Sequence, residues 1–135
     1  MSRLIEFRAW DKISMEMFHV DAIFFDLGGK LKGIKSVISE IENHFILNEN
    51  LILIQFTGLY LQGKKIYEGD ILESDKGVRA KVFYPELQSG FFIQWKNIYH
   101  LKKKSHFYKP LIWAVRRNDW KVIGNIYETP ELIDA

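Results

Sequence analysis

The 135-residue chain contains no cysteine, which excludes disulfides, thiolate-bound zinc and thiol nucleophiles and suits a reducing compartment. It also lacks any apolar run approaching the roughly 20 residues needed to cross a bilayer. The opening Met-Ser-Arg-Leu-Ile-Glu-Phe has no apolar stretch of signal-peptide length, so a cytoplasmic protein without membrane partners is expected. The chemistry-bearing patterns are missing too. No H-E-x-x-H or His-x-His spacing joins the histidines at 19, 44, 100 and 106, no G-x-S-x-G elbow is present, and the glycines do not space out a phosphate-cradling loop. No catalytic, metal or cofactor residue is therefore assigned, and no enzymatic activity is expected. Glu68 and Asp70 flank Gly69 closely enough to form a carboxylate pair. A Gly-Asp turn that binds its own backbone is the better account of them.

What is present is a pattern of short β-strands. A chain of this length buries roughly two-thirds of its unfolded surface and folds without staples. Ile5, Phe7 and Ala9 alternate with Glu6 and Arg8, and Asp11 to Ser14 turns the chain into Met15 to Phe25, so a hairpin opens the fold. Asp26-Leu27-Gly28-Gly29-Lys30 makes the next turn, with a short strand at Lys30 to Gly33. Ile34, Val37, Ile38, Ile41 and Phe45 then fall at helical spacing with Ser36 as a cap. That spacing predicts the one helix, over 35–45, with an extended path as its rival because β-branched residues disfavour helix. Leu51 to Phe56 is nearly continuously apolar and reads as a central strand.

The stretch Gln55 to Glu73, with glycines at 58, 63 and 69, joins two small β units, 1–56 and 57–135. Strands are expected at Asp70 to Ser74, Val78 to Tyr84, Gly90 to Trp95, Leu111 to Val115 and Trp120 to Asn125. Five in some sixty residues suit a C-terminal SH3-like small barrel with Ile71, Val82, Phe92, Ile112 and Ile123 in its core. Thr129-Pro130-Glu131 starts a final helical or 3₁₀ turn. The fold class is thus mainly β: an N-terminal hairpin unit carrying one helix, then the barrel.

Three blocks carry a resemblance. Phe7-Arg8-Ala9-Trp10-Asp11, then Gln55 to Ile71 with its Q-x-T-G-L and I-Y-E-G-D-I patterns, then Val122-Ile123-Gly124-Asn125-Ile126-Tyr127-Glu128-Thr129-Pro130-Glu131-Leu132 occur in the order that characterises the YopX family of phage and prophage proteins, which the chain closely resembles. Ile34 to Asn50 and Lys96 to Asp119 match that pattern only loosely, and Tyr60-Leu61-Gln62 stands where the family has a charged loop. The resemblance implies an all-β architecture with an SH3-like barrel, phage origin, and no active site to carry over.

The net charge of +2 hides an asymmetry, since Lys96 to Lys121 carries +7 and the remainder −5. Aromatics interleave with that charge. Trp95, Tyr99, Phe107, Tyr108, Trp113 and Trp120 alternate with Lys96, Lys102, Lys103, Lys104, Lys109, Arg116 and Arg117. Cations for phosphate beside rings for bases are how small barrels hold single strands. The tryptophans serve equally well as core of a small β domain, with the lysines in water. Candidate contact residues for nucleic acid or another partner are Lys96, Tyr99, Lys102, Lys103, Lys104, Tyr108, Lys109, Arg116 and Arg117. The expected role is non-enzymatic binding of a host or phage macromolecule, with nucleic acid as the named alternative, edge-strand pairing into a homo-oligomer as a third, and an enzyme whose site is assembled across the fold from Glu68, Asp70 and a histidine as the last.

Overall fold

Turn chemistry fixes where the strands begin and end. The computed structural model describes residues 3–37, 43–47, 50–96 and 106–133, and the chain separates into two units, Leu4–Gln55 and Phe56–Ala135.

In the first unit β1 (Phe7–Asp11) pairs antiparallel with β2 (Glu16–His19), Arg8 opposite His19 and Asp11 opposite Glu16. Asp11 closes that hairpin by accepting the backbone N–H of Ile13 at 2.9 Å, an Asx turn. β3 (Ala22–Phe25), β4 (Leu31–Val37) and β5 (Asn43–Leu47) form a separate antiparallel sheet in that order. Between β3 and β4 the Asp26 carboxylate accepts from both Gly28 and Lys30 at 2.9 Å. Ala9, Ile34 and Leu51 are the buried apolar centre of this unit, with Phe18, Val20, Leu31 and Leu53 against them.

The helix expected over 35–45 is not formed. Lys35, Ser36 and Val37 continue β4 opposite Phe45, His44 and Asn43 of β5, and 38–42 lie outside the described residues. Ile34, one of the β-branched residues at helical spacing, instead sits in β4 opposite Ile46, in the extended conformation that β-branched residues favour.

β6 (Leu51–Leu61) gives its first half to β1, with Phe7 opposite Gln55, and its second half to β7 (Lys64–Tyr67), with Phe56 opposite Tyr67. The two-residue loop between β6 and β7 has φ of 51° at Gln62 and 76° at Gly63, the double left-handed geometry of a type I′ hairpin. The second unit is built on a five-stranded antiparallel sheet of β8 (Asp70–Ser74), β9 (Arg79–Phe83), β10 (Phe92–Lys96), β11 (His106–Pro110) and β12 (Trp120–Asn125), ordered β11-β10-β9-β8-β12. Leu72, Ala80, Val82, Ile93 and Trp120 cover one face of it and pack with Leu61 and Ile66.

That face is closed by α1 (Leu111–Arg117), which buries Leu111 and Ala114 where a strand was expected. Leu111, Ala114 and Val115 are spaced i, i+3, i+4, Arg116 and Arg117 sit favourably in the last turn, and Asn118 at φ 58° caps the end. The change of element moves the core. Ile71 and Val82 are buried as expected, but Ile112 turns outward at 39% exposure, Ile93 rather than Phe92 points inward, and a bulge between Val122 and Gly124 leaves Ile123 half-buried. Pro130–Leu132 forms the expected 3₁₀ turn. No helix among the described residues is long and apolar enough to cross a membrane.

Two expectations follow from this packing. Leu72→Ala should cost about 2–5 kcal/mol in chemical denaturation, while Ile112→Ala stays within about 1 kcal/mol. Gly69 and Gly77 both lie near φ +80°, but only at Gly69 would a Cβ meet a neighbour, Tyr127 Cε2 at 2.7 Å. Gly77→Ala should therefore lose about 1–2 kcal/mol, and Gly69→Ala more than that in the same assay.

Candidate nucleic-acid interface

β11 is an edge of its sheet, and residues from both faces are reached there. On the α1 side Trp95 and Trp113 stack with ring centroids 5.9 Å apart and planes 14° from parallel, and Trp120 closes the cluster at 5.9 Å from Trp95. Lys109 Nζ lies 5.5 Å and the Arg117 guanidinium 5.0 Å from the Trp113 ring, both within cation–π range. Arg117 also holds Asp119 through two N–H donors at 3.3 and 3.1 Å. The tryptophans thus stack on one another, with Trp120 buried, Phe107 joins them at 5.6 Å from Trp95 while staying 44% exposed, and Tyr108 is 54% exposed.

Of the residues marked from sequence, Tyr108 and Lys109 stand next to each other on β11 and Arg116 and Arg117 in the last turn of α1, so α1 and its preceding strand bring four of them to one end of the unit. Lys96 ends β10. Tyr99, Lys102, Lys103 and Lys104 lie outside the described residues.

The other face of β9, β10 and β11 carries a set of which only Tyr108 was named from sequence as a contact residue. Phe83 and Phe92 are directly opposite each other, as are Lys81 and Gln94, and Gln94 and Tyr108, so all five share one side of the sheet. The Gln94 side-chain N–H donates to the Tyr108 hydroxyl at 3.2 Å, and the Phe83 and Tyr108 rings lie 5.8 Å apart. The signal was the alternation Lys81, Phe83 against Ala80, Val82. It was hidden because Phe92 was placed in the core.

The carboxylates elsewhere in this unit are tied into structure. Asp70, 2% exposed, accepts the Tyr67 N–H at 2.8 Å, as a Gly-Asp turn requires. Glu73 is held by Arg79 at 2.9 Å and Lys121 at 3.9 Å, and with Asp75, Asp119 and Gln62 it lines a cleft of about 450 Å³. His19 lies 3.6 Å from Asp21, on the exposed rim of the first unit. Among the described residues no three His, Asp or Glu side chains converge as a metal group.

Glu68 differs from these, because desolvation by burial raises its carboxyl above the usual carboxylate range. With the folded value above the unfolded one, ionisation reaches the unfolded chain first as pH rises, and the contribution of this group to stability falls until pH exceeds the folded value. Glu68→Gln removes that loss. The melting temperature of the variant, relative to the parent, should rise as pH increases from the ordinary carboxylate range until the folded-state carboxyl is ionised. A difference that stays level would show that burial does not govern Glu68.

The sequence matches the family model described as YopX protein over residues 6–134. In structure it is similar to protein EF1440 from Enterococcus faecalis, with a TM-score of 0.67 and 25% sequence identity, over 98% of this chain and 100% of that one. No curated protein matches it. The first of these findings spans all but the two ends of the chain, and the three blocks that carry it are the turn and core residues that set β1, the β6–β8 junction and the closing 3₁₀ turn: the chain belongs to the YopX family.

Proposed function

We propose that this protein acts by binding rather than by catalysis, and that its target is a single-stranded nucleic acid held by the Phe56–Ala135 unit. The observation that carries the reading is the edge of the five-stranded sheet, where the exposed ring of Phe107 shares the α1 face with Lys109, with Arg116 and Arg117 following in α1, and the exposed ring of Tyr108 opens on the opposite face. They belong to a stretch of charge +7, which neutralises phosphate while the rings accept bases. The non-catalytic half of the proposal rests on how the carboxylates are used, Asp70 in a turn and Glu73 and Asp119 in ion pairs. The YopX resemblance adds a phage or prophage origin and the host cytoplasm as the setting in which such strands are met.

Salt decides it. In fluorescence anisotropy with a labelled thymidine oligomer, log affinity should fall with log salt at a slope near −0.7 for each phosphate contact. Reversing Lys102, Lys103 and Lys104 to Glu, or Lys109 and Arg116 to Glu, should weaken binding and flatten that slope. A parent protein that binds neither DNA nor RNA single strands at low salt overturns the proposal and leaves the basic stretch to an acidic protein partner.

A further inference from the structure

The tryptophans are the rings that the sequence offers first for stacking, yet they are occupied by one another and by Lys109 and Arg117. The opposite face of the same three strands is not spent in this way. We propose that Phe83, Gln94 and Tyr108, with Lys81 beside them, form a base-binding subsite on the face of β9, β10 and β11 turned away from α1, a proposal that rests on the nucleic-acid reading above.

Three features select a nucleobase as the occupant. Phe83 and Tyr108 lie 5.8 Å apart and inclined by 59°, so a flat ring sliding onto Tyr108 meets the Phe83 edge as a second wall. Gln94 is pinned from behind by its bond to the Tyr108 hydroxyl, which uses one of its two amide hydrogens. The second N–H and the carbonyl oxygen remain as a donor and an acceptor in one plane, the pair that matches the edge of a base. Lys81, opposite Gln94 on β9, supplies a cation two strand spacings, about 10 Å, from Tyr108 on β11. A neutral sugar would also lie on an aromatic ring but gives that ammonium nothing to neutralise, whereas a nucleotide brings base and phosphate together. Access is open, because β11 pairs only with β10 among the described residues and Tyr108 is 54% exposed.

An abasic strand separates this subsite from charge attraction, since it keeps every phosphate and offers no base. Titrated in parallel by anisotropy, a thymidine oligomer should bind the parent protein more tightly than an abasic strand of equal length. Tyr108→Ala and Phe83→Ala should each lower affinity for the thymidine oligomer roughly tenfold while leaving the abasic strand unchanged. Tyr108→Phe keeps the ring and should retain the difference, and its melting curve and that of Tyr108→Ala report that both variants are folded. Gln94→Leu should narrow the spread of affinities among thymidine, cytidine and adenosine oligomers. If the parent binds both strands equally, the subsite is wrong and binding through charge stands; if Tyr108→Ala still prefers the thymidine oligomer, the subsite is wrong and the bases are held elsewhere on the protein. If the parent binds neither strand, the nucleic-acid reading falls with it.

Discussion

A side chain at position 69 has no room, and the second unit is assembled around that fact. Gly69 sits at φ +85° with the ring of Tyr127 where a Cβ would project. Its N–H reaches the carbonyl of Val82 at 2.8 Å and its own carbonyl accepts from Ile126 at 2.9 Å, so one residue stitches the start of β8 to the end of β9 and to the chain after β12. The neighbouring Asp70 is buried and turns its carboxylate back onto the Tyr67 N–H, which ends β7 and fixes the direction in which β8 leaves. A buried carboxyl is tolerated there because it accepts a backbone donor that the turn would otherwise leave open. Asn125 repeats the device at the far end of β12, accepting from Tyr127 and Glu128 and donating to the Glu128 carboxylate.

These local constraints explain why so much of the fold was legible. Asp, Asn and Gly announce turns through their own hydrogen bonds and left-handed geometry, and the strands hang between them, so β8 and β12 fall where the alternation and the turn signals put them. The helix expected over 35–45 and the strand expected over 111–115 were misread for the same physical reason. Short apolar runs satisfy both periods, and what arbitrates is the surface that they meet. Around Ile34 a strand can pair on both sides with β3 and β5, which no helix could do. After Pro110 the chain has already reached the sheet edge, and Leu111 and Ala114 can cover the core only by coiling back over it as α1. Partner strands and edges are not written in a window of ten residues.

The candidate site was legible as composition and not as geometry. The abundance of cations and rings from Lys96 to Arg117 is plain in the sequence, but whether a ring faces a base or another ring depends on register. Trp95 and Gln94 are neighbours on β10 and point to opposite faces. One joins the tryptophan stack and the other meets Tyr108. A shift of one residue in that strand exchanges them, and the reading that placed Phe92 in the core made that shift.

The division of labour between the blocks of resemblance and the basic stretch then has a physical basis. The YopX blocks contain the residues for which the backbone leaves no alternative, Gly69 against Tyr127, Asp70 at the β7 turn and Asn125 beneath Glu128, so they carry the fold. Among its described residues, Lys96 to Asp119, which matches the family pattern loosely, gives the core Leu111 and Ala114, with Trp113 and Val115 packed against that core. Its exposed positions, Tyr108, Lys109 and Arg116 among them, are free of that constraint, because an exposed side chain on an edge strand or a short helix changes stability by only about 0.5 kcal/mol. A surface so loosely bound to the fold can change without unseating the core, so likeness in the rigid blocks leaves the composition of this edge open.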